Sequence, residues 1–184
     1  MQLEGPIGRL HIAGRRKGSA PFDLDRQVFQ SLSHCDFALS GAQRLAVTKL
    51  KPPTVARAEK FASYLVLLRM QALRTLTLIQ CNNLSFILAL NPDRNPSKHV
   101  FCPELEEIVL YIEERESFNI SALITMVKER ASRWKKLPSI TIIGLGELVP
   151  GKEVFKLGEY VTDVDYRVKE EPPAWDSILG DGVY

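Results

Sequence analysis

Apolar residues recur along this chain in a six-position frame, apolar-x-x-apolar-x-apolar, with longer stretches of different period between the copies. The frame is fullest at Leu73-Arg74-Thr75-Leu76-Thr77-Leu78, which continues into Ile79-Gln80-Cys81. It returns at Leu105-Glu106-Glu107-Ile108-Val109-Leu110 and at Leu137-Pro138-Ser139-Ile140-Thr141-Ile142. Weaker copies begin at Ile7, Ala42 and Val161 and end at Ile12, Val47 and Tyr166. The alternation closing each copy predicts a strand with one buried face. Anchors at 7, 42, 73, 105, 137 and 161 leave gaps of 35, 31, 32, 32 and 24. A single copy arises easily by chance in a hydrophobic chain. Consecutive anchors 32 apart do not.

Between the copies the period changes to that of a helix. Asn119 to Lys135 carries Ile120, Leu123, Ile124, Val127, Ala131 and Trp134 on one stripe, with Lys128, Glu129, Arg130 and Arg133 off it. Asn119 is the expected N-cap, and Lys135-Lys136 suit the negative end of the helix dipole. Further helices are predicted over 54–70, from Asp23 or Asp25 through Leu32, over 83–90 and over 152–160, with a loop at 93–98.

The segment 73–81 fits the leucine-rich-repeat consensus L-x-x-L-x-L-x-x-[N/C] at each fixed position, with Cys81 at the Asn/Cys place. Four of the five gaps exceed the roughly 20–29 residues usual for such repeats, and each gap is expected to hold a full helix. The predicted fold is therefore α/β, a right-handed leucine-rich-repeat solenoid with about six parallel strands on the concave side and helices on the convex side. The repeat domain is expected over 1–168, with 169–184 as a tail that caps the last repeat.

Composition narrows the function classes. Lys+Arg of 24 against Asp+Glu of 22 gives a net charge of only +2, which points to neither nucleic acid nor a membrane surface as partner. No stretch approaches the roughly 20 apolar residues of a membrane span. The N-terminus lacks the basic start and apolar run of a secretory signal. Three scattered cysteines (35, 81 and 102) fit free thiols in a reducing compartment, so a cytoplasmic or nuclear location is expected.

From about Leu73 to Ile178 the chain resembles the C-terminal leucine-rich-repeat part of fungal F-box-like proteins. The likeness lies in Phe101-Cys102-Pro103-Glu104-Leu105 through Ile112, in Lys128 to Arg133, in Leu148 to Leu157 and in Pro172-Pro173-Ala174-Trp175-Asp176. It implies the target-recognition domain of a ubiquitin ligase of the Skp–cullin–F-box type. The F-box itself should precede the repeats, and with the first copy at Ile7 no room is expected for it. Ligase subunits are then expected as partners only if an F-box is supplied elsewhere.

Catalytic signals are weak. Residues 146–153 nearly match the phosphate loop G-x-x-x-x-G-K-[S/T], but Glu153 sets a carboxylate where a hydroxyl should ligate Mg²⁺. A nucleotide-binding protein is the alternative reading, and a repeat scaffold unrelated to ubiquitin is another. His99 and Cys102 lack a second metal-ligating pair at zinc spacing. Cys35 beside His34 invites a nucleophile–base pair, but adjacent helical side chains point apart. The expectation is no enzyme, no cofactor and no metal, but a module that binds a protein target.

The binding face follows from the frame, because its x positions point away from the core. Arg9, His11, Arg44, Arg74 and Thr77 should line the early, basic part of the concave face. Glu106, Glu107, Val109, Tyr111, Thr141, Asp163 and Asp165 should line the later, acidic part. Val109 and Tyr111 are the expected apolar anchors for a partner.

Overall fold

A computed structural model describes residues 2–5, 8–11, 39–48, 67–79, 83–94, 100–112, 119–145 and 152–169. The strands are β1 (Gln2–Gly5), β2 (Gly8–His11), β3 (Arg44–Thr48), β4 (Thr75–Ile79), β5 (Glu107–Ile112), β6 (Leu137–Leu145) and β7 (Val161–Lys169). They form one sheet in the order β2-β1-β3-β4-β5-β6-β7. From β3 to β7 the strands run parallel, each beside its predecessor. The pairs Arg44↔Thr75, Thr75↔Glu107, Glu107↔Ser139 and Ser139↔Asp163 are offset as the anchors at 42, 73, 105, 137 and 161 are. The six-position frame therefore sets the register.

The first copy of the frame behaves differently. Gly8–His11 pairs antiparallel with β1 (Leu3↔Leu10), and β1 pairs antiparallel with β3 (Leu3↔Leu45). The expectation of about six parallel strands is corrected to five, with an antiparallel hairpin at the edge. The reason is covalent reach. Pro6 and Ile7 alone join β1 to β2, and so short a connection reverses the chain, whereas a parallel crossover needs a dozen or more residues.

One face of the parallel strands builds the core. Leu45, Leu76, Ile108 and Ile140 form one buried row, and Val47, Leu78, Leu110 and Ile142 the next. Helix α1 (Asn83–Leu90) adds Phe86, Ile87 and Leu90, and α2 (Ile120–Arg133) adds Leu123, Met126 and Val127, all in one cluster. Each such side chain stabilises by about 1.5–3 kcal/mol on burial. The Asn119 side chain caps α2 as expected, accepting from Ala122 N–H at 2.9 Å.

The buried stripe of α2 departs from the sequence reading. Arg130 is fully buried and Trp134 is 57% exposed. The helix ends at Arg133, so Trp134 leaves the helical period and turns outward. Arg130 takes the inward position because backbone carbonyls await it there. Its Nη1 donates to Phe101 O at 2.9 Å and its Nη2 to Cys102 O at 2.7 Å. Cys102 sits at φ 47, in the left-handed region, and Cys102 Sγ donates to Leu67 O at 3.5 Å.

Pro92–Arg94 and Lys152–Glu159 are 3₁₀ segments, the first standing where a loop from Asp93 is expected. Residues 67–69 are helical, while 54–66, the helix expected near 23–32, Cys35, Cys81, the loop from 95 and the tail beyond 169 lie outside the described residues.

Candidate interaction surface

The second face of the sheet is built by the alternate residues of the same strands. Strand register lines them into rows. Arg44, Thr75, Glu107, Ser139 and Asp163 form the row at the strand entries. Ala46, Thr77, Val109, Thr141 and Asp165 form the next. Ile79, Tyr111, Ile143 and Arg167 continue beyond it. One residue ahead of the first row stand Gln43, Arg74, Glu106, Pro138 and Thr162, all exposed.

That rim is held by a repeating backbone pattern. The Gln43 carbonyl accepts from Arg74 N–H at 2.7 Å and Thr75 N–H at 3.0 Å. The Arg74 carbonyl accepts from Glu106 N–H at 2.8 Å and Glu107 N–H at 2.9 Å. At the next step Pro138 has no N–H to give, and the Glu106 carbonyl accepts from Ser139 N–H at 3.0 Å. Arg74 and Glu106 thus hold equivalent places just ahead of adjacent strands.

The face divides in two. Its entry half is polar, with Arg44, Arg74, Glu106 and Asp163 exposed and Glu107, Ser139, Thr141, Val109 and Asp165 half-buried. Its other half is apolar and buried, a cluster of Ile79, Tyr111, Ile143 and Leu145 with Val109 packed against it. Two sequence candidates are corrected here. Tyr111 and Thr77 point to the expected face but are only 7% and 5% exposed. Tyr111 belongs to this second cluster, so it is no open anchor. Burial pushes its phenol above the usual range, with Arg167 opposing and Glu107 adding. Arg9 and His11 lie on β2, separated from β3 by β1. The register sets Arg9 and Arg44 against the same Glu4, and His11 and Ala46 against the same Gln2, which places both positions in line with the second-face rows at the antiparallel edge.

Charge is graded along the polar half. Arg44 and Arg74 stand at the β3–β4 end, Glu106 and Glu107 at β5, and Asp163 and Asp165 on β7. Arg167 departs from the gradient and ion-pairs with Asp165 of its own strand at 2.5 Å.

The other candidate chemistries fare unevenly. Residues 146–151 of the near phosphate loop lie outside the described residues, and Glu153 is exposed on a 3₁₀ segment. His99 is likewise outside, and Cys102 is a fully buried free thiol whose burial pushes it up to about 12, with Arg130 opposing. Among the described residues no group of three or more His, Cys, Asp or Glu is gathered for one metal ion. No helix among them is long and apolar enough to cross a membrane. On the helical side, a groove of about 470 Å³ is lined by Leu68, Gln71, Val100, Phe101, Pro103, Arg133 and Trp134. The sequence reading misses it because spacing alone puts Trp134 on the core stripe. The change of period at Lys135-Lys136-Leu137 is the available signal.

Compared with protein-family models, curated proteins and solved structures, the chain matches none.

Proposed function

We propose that this chain is a leucine-rich-repeat module that binds a protein along the polar half of its second sheet face. In this reading it is the target-recognition part of an F-box-like ubiquitin-ligase subunit, tethered through a motif supplied elsewhere. The carrying observation is the register. Arg44, Glu107 and Asp163 lie in one row across the sheet because strands 31, 32, 32 and 24 residues apart stack in step. Such a row presents side chains at the roughly 4.8 Å spacing of neighbouring strands, a fixed comb for a partner's groups. Its basic-to-acidic gradient favours a partner of opposite polarity and fixes that partner's direction. Among the described strands the order from β3 to β7 never reverses, so within that parallel part there is no crevice of the kind where nucleotides bind in doubly wound folds. That supports recognition on a face over chemistry at strand ends.

The test is affinity capture from source-cell extract, followed by cross-linking, with three proteins. These are the unaltered chain, Glu106→Lys/Glu107→Lys, and Lys128→Glu on the exposed side of α2. A protein cross-linked near β5, kept by the Lys128 variant and lost by the double variant, is the expected result. Identical capture by all three removes the face from consideration. Cullin or adaptor subunits among the captured proteins support the ligase link, and their absence reduces the reading to a binding module.

A further inference from the structure

β7 ends the sheet. It pairs with β6 from Leu137↔Val161 to Leu145↔Lys169, and no described strand pairs with its outer edge. An edge strand of nine residues offers a row of backbone donors and acceptors to another strand. At alternate positions β7 reads Asp163, Asp165, Arg167, Lys169, and at the positions between them Val164, Tyr166, Val168. Two acids followed by two bases is an order that inverts about Tyr166.

We propose that two copies of this chain associate by antiparallel pairing of their β7 edges, with Tyr166 opposite Tyr166. In that register Asp165 faces Arg167 of the second copy, position 163 meets position 169, an acid against a base, and the two-fold axis repeats both pairs. At the intervening positions Val164 lies opposite Val168, a side chain that is 57% exposed in the single chain. A two-fold axis through the sheet requires residues of like parity to face each other. The neighbouring registers therefore centre on Asp165 or on Arg167, and each sets like charges together at the axis. Only the register centred on Tyr166 opposes unlike charges at every charged position of the strand. The Asp165–Arg167 pair within one strand is largely solvated, with Arg167 61% and Asp165 32% exposed in their side chains, so exchanging it for the cross-copy pair costs little. This inference shares Asp163 and Asp165 with the acidic end of the proposed face, but its test reads self-association and not capture of another protein, so either reading can fail without the other.

The test is sedimentation equilibrium on the full chain from about 1 μM to a few hundred μM, a range set by the weak affinity of small interfaces. Reversible dimerisation that weakens with added salt is expected. Asp165→Arg and Arg167→Asp should each weaken it by about tenfold, because each creates two like-charge pairs. The combined Asp165→Arg/Arg167→Asp variant should restore it. Circular dichroism and melting of the variants keep loss of folding separate from loss of pairing. A chain that stays monomeric at every concentration overturns the proposal and means that the edge is covered within the chain. Dimerisation indifferent to the single reversals, or unrestored by the double one, overturns the register.

Discussion

The guanidinium of Arg130 donates to the Cys102 carbonyl across 2.7 Å, joining the last turn of α2 to a backbone turn 28 residues earlier. The same group reaches Phe101 O at 2.9 Å, while its Nε has no partner. Among the described residues no carboxylate pairs with this buried cation. Its guanidinium is met by the carbonyls of Phe101, Cys102 and Pro103, and desolvation lowers its pKa.

Removing that staple should cost more than it relieves. Arg130→Met abolishes the burial of a charge but takes the guanidinium donors away from the carbonyls of Phe101 and Cys102, the latter keeping its 3.0 Å bond from Leu105 N–H. We expect a net loss of about 2–4 kcal/mol in urea unfolding. Arg130→Lys, which lacks the planar fork, should recover only part of it. A Met variant as stable as the unaltered chain would refute this account.

Alkaline pH should weaken the fold through Cys102. Its thiol is neutral when protonated, and the folded state holds it so, with its pKa raised from 9.0 to about 12. The stabilisation is therefore complete below pH 9.0 and is lost as pH rises toward about 12. Tyr111, also raised by burial, acts in the same direction. Urea midpoints measured across this window should fall for the unaltered chain and fall less steeply for Cys102→Ala. Peptide mapping after alkylation near pH 8 should find Cys102 protected until the chain unfolds.

The core rows and the outer surface should respond very differently to truncation. Leu110→Ala removes a fully buried side chain from β5 and should destabilise by about 2–5 kcal/mol. Phe155→Ala, at an 80% exposed position, should stay within about 0.5 kcal/mol. Thermal melts of the two variants decide this, and equal shifts would contradict the assignment of the core to the helical side.

At the start of α2 the Asn119 side chain satisfies one otherwise unpaired helix donor. Asn119→Ala should cost about 1 kcal/mol and Asn119→Asp should cost little. A melting shift for Asn119→Asp as large as that for Asn119→Ala would remove the cap from the account.

The strands and their register are legible in the sequence because a period of two and a recurring anchor are properties of neighbouring residues. Counting from the anchors alone matches Thr75 to Glu107. Arg130 cannot be placed that way, since a cation at helical spacing reads as solvated unless its distant carbonyl partners are already in view. Trp134 misleads for the converse reason, lying one position beyond the end of the helix whose spacing it fits. On the second sheet face, alternation tells which way Thr77 and Tyr111 point but not what burial they meet. At Ile7 to Ile12 the frame is matched, while the two-residue link from β1 settles the topology.

The ladder pairs Thr75 with Glu107 and Glu107 with Ser139, each 32 residues on, while Leu137 meets Val161 after only 24. The crossover lengths differ, yet the strands stay in step, because only the short stretch from entry turn to strand end enters the hydrogen-bonded ladder. Such a chain is modular in the sense of a tape. Excising residues 105–136 would bring Leu137 into the place of Leu105 with every inward and outward position preserved. Losing one residue inside a strand would turn its whole buried set outward. Length is free to vary in the crossovers and nearly immutable in the strands, so insertions and deletions that keep this fold should fall between the strands.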